Sequence, residues 1–321
     1  MRFNYIIAGG TAGYYRAAYS DVCGLDNVMY YSSYIDGIQS KFKRFLVRAN
    51  FNIKLNRFLK TPLRKIVNPW LFPNRFGNKN LCFLFFECEF AVLNSDYPAY
   101  LRRRYPGAKL VLYMQDVVSS LPYYDMGKYK KEFDLILSYD KGDCRRYGLQ
   151  YYPTPYSKLE LKATSNERID VFFCGASKDR YNEIIDAYKK CTEEGLKCKF
   201  FITDVPSDKQ IVGDGLIYNK TISYKENLSY VAQSKCILEI MQKGANGNTF
   251  RLWEAIMYDK HLLTNNTDVV ESRYYSPDFV HIVNESVPIS GWIDKKVVIP
   301  ASVKCMLSPT RMLEFIEQTI V

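Results

Sequence analysis

Histidine is almost missing from this chain, which carries only His261 and His281. With so few imidazoles, a Cys/His zinc centre is not expected. The nine cysteines form no CxxC pair, and Met1 to Gly10 has too short an apolar core for a secretory signal. Reduced thiols in a cytoplasmic protein follow from that combination. No apolar run approaches the roughly 20 residues of a membrane-crossing helix, so no integral span is expected. At 47% hydrophobic and 24% charged residues the chain is globular, and its 321 residues suffice for two ordinary domains.

Acidic residues are missing from one place. Residues 37–86 hold eleven Lys and Arg and no Asp or Glu, which leaves 33 basic against 34 acidic residues elsewhere. The whole net charge of +10 is therefore one patch. Within it Lys41, Lys43, Arg44, Arg48, Lys54, Arg57, Lys60, Arg64 and Lys65 are interleaved with Phe42, Phe45, Leu46, Leu55, Phe58, Leu59, Leu63 and Trp70. Basic residues on one side of a helix and aromatic or leucine side chains on the other suit a helix lying on an anionic membrane. The alternative is amphipathic helices whose apolar faces cover a sheet while the basic face is solvated. The complete absence of acidic residues favours the membrane. Nucleic acid is not expected, because no zinc finger, RNP-like strand or helix-turn-helix accompanies the patch.

Short apolar runs alternate with helical patterns along the chain, which predicts α/β domains of the doubly wound kind. Strands are predicted at Asn4–Ala8, Asn27–Tyr31, Leu81–Phe86, Lys109–Met114 and Asp134–Tyr139. A second series follows at Asp170–Gly175, Lys199–Thr203, Cys236–Met241 and His261–Thr264. Between the two, Tyr151 to Tyr156 with its two prolines and the polar run Lys162 to Arg168 read as a domain linker. Helices are predicted around Tyr14–Asp21, Asp179–Glu194, Asn227–Ser234 and Thr249–Asp259, with an amphipathic terminal helix at Ser308–Val321. Gly9, Gly10 and Gly13 match the dinucleotide fingerprint poorly, so a nicotinamide cofactor is not expected. Ligands of open α/β sheets gather beyond the carboxyl ends of strands, which singles out Glu87, Glu89, Gln115, Asp116 and residues 138–140.

The most informative stretch is Lys235 to Thr264. A buried strand leads into a loop carrying Gly244 and Gly247, then Thr249 stands where a helix N-cap belongs. Glycines let backbone N–H groups approach a ligand, and a helix start favours negative charge, so this bend can seat a diphosphate. Arg251 in the first turn could pair phosphate oxygens, and Glu254 could accept from vicinal sugar hydroxyls. A plain βα turn with both side chains on a solvated face is the other reading.

Ile237 to Ile240, then Gly247-Asn248-Thr249-Phe250-Arg251-Leu252-Trp253-Glu254-Ala255, then a strand ending in Thr264-Asn265, resembles the C-terminal signature of GT-B glycosyltransferases of the group 1 kind. These enzymes build bacterial capsules, lipopolysaccharide and exopolysaccharide. The resemblance departs from the usual pattern of two glutamates around this loop, since Glu239 lies farther upstream. Whether transfer inverts or retains configuration is therefore left open.

The resemblance implies two Rossmann-like domains facing across a cleft, with a C-terminal helix crossing back. The domains would be residues 1–160, which bind the acceptor and carry the basic insertion at about 37–76, and residues 161–305, which bind the donor, with residues 306–321 packing back. It implies a donor site of Gly175, Lys178, Arg180, Tyr224, Gly247, Asn248, Thr249, Arg251 and Glu254, the cations neutralising the diphosphate as it leaves. Gly9, Gly10 and Thr11 would lie near the transferred sugar or the acceptor. Neither histidine falls in the first domain, so an acceptor base there would be a carboxylate, Asp116 first and Glu87 second. Either could instead cap a helix or pair with Arg102, Arg103 or Arg104. No DxD triplet of the metal-binding kind is present, so no metal or other cofactor is expected beside the nucleotide-diphosphate sugar. The expected partners are that donor, a saccharide or lipid-linked saccharide acceptor, and the inner face of the cytoplasmic membrane. An epimerase acting on sugar nucleotides and a non-catalytic protein binding anionic lipid or nucleic acid are the alternatives.

Overall fold

Leu81–Phe86 is apolar at all six positions and buried at all six, the signature of a parallel strand covered on both faces. The computed structural model in which it lies describes the chain except residues 12, 53–54, 56–62, 91–95, 122–124, 162–166, 243–247, 284–286 and 321. The chain divides into two units, Met1–Ser157 with Leu307–Val321, and Lys158–Met306.

In the first unit β1 (Asn4–Ala8) leads through α1 (Gly13–Ala18) to β2 (Val28–Tyr31), and α2 (Lys41–Phe51) precedes β3 (Leu81–Phe86). The short α3 (Glu87–Phe90) follows directly, then β4 (Lys109–Met114), β5 (Leu135–Ser138) and β6 (Gln150–Tyr151). All pair in parallel in the order β2-β1-β3-β4-β5-β6. The order reverses between β1 and β3, so a ligand crevice belongs beyond their carboxyl ends.

The second unit repeats the plan. It runs β7 (Ile169–Ala176), α4 (Tyr181–Glu193), β8 (Cys198–Thr203), β9 (Leu216–Tyr218), α5 (Tyr224–Gln233), β10 (Ser234–Glu239), α6 (Phe250–Tyr258), β11 (His261–Thr264) and β12 (Val280–Ile282). The parallel order is β12-β11-β10-β7-β8-β9, with the reversal between β7 and β10. The last helix, α7 (Pro309–Thr319), returns to the first unit, burying Met312, Leu313 and Ile316. There the Tyr5 hydroxyl donates to the Leu313 carbonyl at 3.0 Å.

Several boundaries differ from the sequence reading. Helix α5 starts at Tyr224 rather than Asn227, because Ser223 and Glu226 form a capping box that satisfies the first-turn N–H groups. Strand β10 then begins at Ser234, two residues early, and ends at Glu239. The short strands β6, β9 and β12 extend the two sheets beyond those expected. In α2 the expected split of basic and apolar faces is corrected: Val47 and Asn50 turn inward, while Phe42 and Phe45 stand outward among the cations. Lys54, Arg57 and Lys60 lie outside the described residues, as does Gly247. No described helix is long and apolar enough to cross a membrane.

Leu313 has no exposed surface. Replacing it with Ala is expected to cost the first unit about 2–5 kcal/mol in urea denaturation, the range for deleting a buried leucine side chain.

Candidate functional site

Strand β7 ends in Cys174, Gly175 and Ala176 beside the end of β10, at the crevice of the second unit. Two guanidinium groups converge there. Arg251, in the first turn of α6, donates from Nη2 to the Cys174 carbonyl. Arg180, at the start of α4 and only 7% exposed, donates from Nη1 to the Ile240 carbonyl and from Nη2 to Ala176 O at 3.2 Å. Both cations lie over the ring of Phe173, at 5.3 Å for Arg251 and 5.9 Å for Arg180. A Cβ on Gly175 would come within 2.6 Å of Arg251 Nη2, so glycine is what lets the guanidinium rest on this backbone.

The electrostatics are unfavourable as they stand. Burial, and then the charge of Arg251, pull the Arg180 pKa down to about 10. Among the described residues neither guanidinium forms an ion pair. Asp179 and Glu239 pull the Arg180 pKa the other way, each by less than Arg251 lowers it, and the charge of Arg251 acts on Glu254. Lys178 is exposed beside the two guanidiniums with φ of +45°, a backbone region costly for a residue with a side chain.

Thr249 is the N-cap of α6, its hydroxyl oxygen accepting from Arg251 N at 3.1 Å. That hydroxyl in turn donates to Glu239 Oε1, while Thr264 donates to Oε2 at 2.7 Å. Glu239, 1% exposed, thus ties the start of α6 to the ends of β10 and β11. The sequence reading named it only as a departure from the family's glutamate spacing and gave it no role, although a carboxylate closing an otherwise apolar strand was the available signal. Phe173 gave no such signal, being one more apolar residue in a buried run.

Glu254 is held by partners from its own unit. It is 4% exposed, and its Oε1 already accepts from Tyr224 Oη at 2.8 Å and Asn227 Nδ2 at 3.3 Å. Tyr224 and Glu254 are thus joined directly to each other. Burial pushes the Glu254 pKa up to about 7. Asn248 is half-buried just before the N-cap. The two histidines are packed in the same unit, His261 against Trp292 and the Lys295 carbonyl, His281 against Trp292 and the Ile282 carbonyl.

In the first unit the crevice between β1 and β3 receives Glu87, which accepts from Gln115 N at 2.8 Å and is 1% exposed. Burial, with a smaller push from Asp116, raises its pKa to about 7. Asp116 is exposed on the loop after β4, and its charge also acts on Tyr14 and Tyr139. The structure therefore gathers both candidate carboxylates, one enclosed and one open. Arg102 is not their partner, because it pairs with Asp134 at 2.8 Å. Gly9 and Gly10 are buried beneath Tyr30 and Tyr15, whose rings fill the space a Cβ would need. That corrects their reading as ligand contacts and leaves Thr11, which is exposed, as the open residue of this loop. Glu89, 3% exposed, accepts from Tyr34 N and is pushed by burial up to about 8.

The two-domain α/β fold, with a six-stranded parallel sheet in each unit, is that of the GT-B glycosyltransferases. It is similar to AviGT4, a glycosyltransferase involved in avilamycin A biosynthesis, with a TM-score of 0.52 and 10% identity over 98% of this chain and 96% of that one. The starch synthase IV catalytic domain of Arabidopsis thaliana, bound to ADP and acarbose, aligns at a TM-score of 0.48 and 8% identity, covering 74% of this chain and 73% of that one. An alpha-glucosyltransferase in complex with UDP-glucose and DNA aligns at 0.37 and 13% identity, over 57% of this chain and 60% of that one. No family model and no curated protein matches the sequence.

Two outcomes follow from this geometry. Glu87, Glu89 and Glu254 have folded-state pKa values above the ordinary carboxylate value, so between about pH 4.5 and 7 or 8 the folded chain keeps protons that the unfolded chain has released. Stability should fall as pH rises through that window, by up to about 1.4 kcal/mol per pH unit for each group, and Glu87→Gln should flatten the slope. Denaturant titrations of both proteins at several pH values read this directly. Separately, Lys178→Gly should raise the thermal midpoint by relieving about 1 kcal/mol of backbone strain, while weakening anion binding.

Proposed function

We propose that the chain is a glycosyltransferase that moves a sugar, of the hexosyl kind, from a nucleotide-diphosphate donor to a saccharide acceptor. The observation that carries this reading is the pair of guanidiniums, neither in an ion pair among the described residues, resting on Gly175 at the β7/β10 switch point. A diphosphate would give the two cations a direct anionic partner, and its charge grows as the glycosidic bond breaks, so the cations stabilise the departing group more than the bound donor. Arg180, Arg251 and Lys178 can supply that stabilisation without a metal. Tyr224 and Glu254 would meet the nucleoside side of the donor, and Gly247 with Asn248 and Thr249 would complete its seat.

The first unit is assigned the acceptor. Asp116, open to solvent, takes the proton as the acceptor hydroxyl attacks the anomeric carbon, and Glu87, enclosed behind it, fixes the loop through Gln115 N. The wider reading places this transfer in bacterial surface polysaccharide synthesis. The acceptor would be carried on lipid at the inner face of the cytoplasmic membrane, a role supported by the resemblance of residues 237–265 and by the basic segment.

UDP or GDP is expected to raise the thermal midpoint of the wild type. Arg251→Ala and Arg180→Ala should each weaken nucleoside diphosphate binding about 10- to 100-fold, with nucleoside alone unaffected, since each removes charge-assisted hydrogen bonds. A nucleotide-sugar panel read by mass spectrometry should then identify the donor, and Asp116→Asn should slow transfer about 10²- to 10⁴-fold. A wild type that responds to no nucleotide would overturn the assignment.

A further inference from the structure

The ordinary fate of a phenylalanine on a helix packed over a sheet is burial, and α2 does not follow it. Phe42 is 68% exposed and Phe45 66% exposed, while Val47 has no exposed surface and Asn50 only 2%. The helix is therefore anchored by its Val47 and Asn50 side, with Leu46 and Phe51 half-buried at its margins. The opposite face holds Lys41, Phe42, Phe45 and Arg48, positions that fall on one side of a helix at 3.6 residues per turn. The short helix Arg64–Val67, packed against α2, adds Ile66 at 52% exposure. Lys43 stands at 5.2 Å over the half-buried ring of Trp70.

We propose that this outer face of α2 is a docking surface for acidic phospholipid, with Phe42 and Phe45 entering the headgroup region and Lys41 and Arg48 pairing with phosphates around them. Charge complementarity names the partner's sign, because no acidic residue occurs anywhere in residues 37–86. The apolar residues name its kind. Two phenylalanines and an isoleucine turned outward among cations are costly in water and favourable at the edge of a hydrocarbon layer. A duplex phosphate backbone offers Ile66 nothing comparable. The inference sharpens the membrane part of the proposed function. Its readout uses no nucleotide, so docking and transfer can fail independently.

The test is flotation of the full chain with phosphatidylcholine vesicles, with and without phosphatidylglycerol. The protein should float only with the anionic vesicles. Lys41→Gln/Arg48→Gln should lower partitioning about 25-fold, each cation near the surface being worth roughly fivefold. Phe42→Ser/Phe45→Ser should lower it at least about tenfold and make the remaining binding fully salt-sensitive. Arg44 is left alone because its Nε donates to the Ile38 carbonyl and helps hold the segment. The substituted side chains are exposed, so thermal midpoints and UDP response should match the wild type. Lys209→Gln, an exposed cation of the second unit, should float normally. Equal flotation with neutral vesicles, or unchanged flotation of both α2 variants, overturns the proposal. It also falls if duplex DNA outcompetes the vesicles, or if the Phe42→Ser/Phe45→Ser variant abolishes a wild-type dimer, since the face would then serve nucleic acid or a second copy.

Discussion

Two positive charges held against the same backbone glycine dominate the second unit. Arg180 and Arg251 share Gly175 and the ring of Phe173, and their carbonyl partners satisfy hydrogen bonds without supplying negative charge. Burial costs Arg180 more than repulsion from Arg251 does, and the two together pull its pKa down to about 10. What holds the two guanidiniums there is the surrounding frame. Thr249 caps α6 and fixes where Arg251 begins, Glu239 fixes Thr249, and the parallel pairing of β7 with β10 brings the two strand ends side by side. A substrate anion would relieve the repulsion, which is how preorganised charge turns folding energy into binding and catalysis.

The first unit handles its polar groups differently. It encloses carboxylates rather than cations, and burial raises the pKa values of Glu87 and Glu89 toward neutrality. Around them lie tyrosines, with Tyr15 and Tyr30 covering the Gly9–Gly10 turn. An enclosed carboxyl that holds its proton near neutral pH suits a neighbour of a reacting hydroxyl, whereas an enclosed cation pair suits a leaving phosphate. Both units enclose carboxylates, Glu254 in the second being raised like Glu87 in the first, and the paired cations are what the second unit adds.

How much of this the sequence shows depends on the scale of the interaction. The six-residue run of β3 and the strand ending at Thr264 are legible because burial on both faces demands continuous apolar residues. Two- and three-residue strands such as β6 and β9 leave no such trace, since so few residues carry no period. The capping box of Ser223 and Glu226 was written in the sequence and, given its due, places the start of α5. The role of Thr249 as N-cap is equally local. Glu239 and Phe173 are different, because their partners lie on other strands and helices and no local spacing predicts a tertiary meeting. Nor can composition decide which side of α2 turns outward: Val47 and Phe45 are both apolar, and only the room left over the sheet selects Val47.

Comparison of two buried charges within the second unit shows that the tension at Gly175 is local rather than a general looseness of its electrostatics. Asp170, at the amino end of β7, has no exposed side-chain surface, yet it pairs with Arg168 at 3.1 Å and Lys235 at 3.1 Å and accepts from Lys197 N at 3.0 Å. Those partners hold its pKa below the usual carboxylate range despite burial. At the carboxyl end of the same strand the buried Arg180 hydrogen-bonds only carbonyl oxygens among the described residues and feels the charge of Arg251 more than that of either Asp179 or Glu239. The strained Lys178 lies beside it, while Asp170's end of the strand has no positive-φ residue among those described. One strand, with one end neutralised and the other left charged and strained, has the asymmetry expected where the fold is stabilised at one edge and a ligand is received at the other.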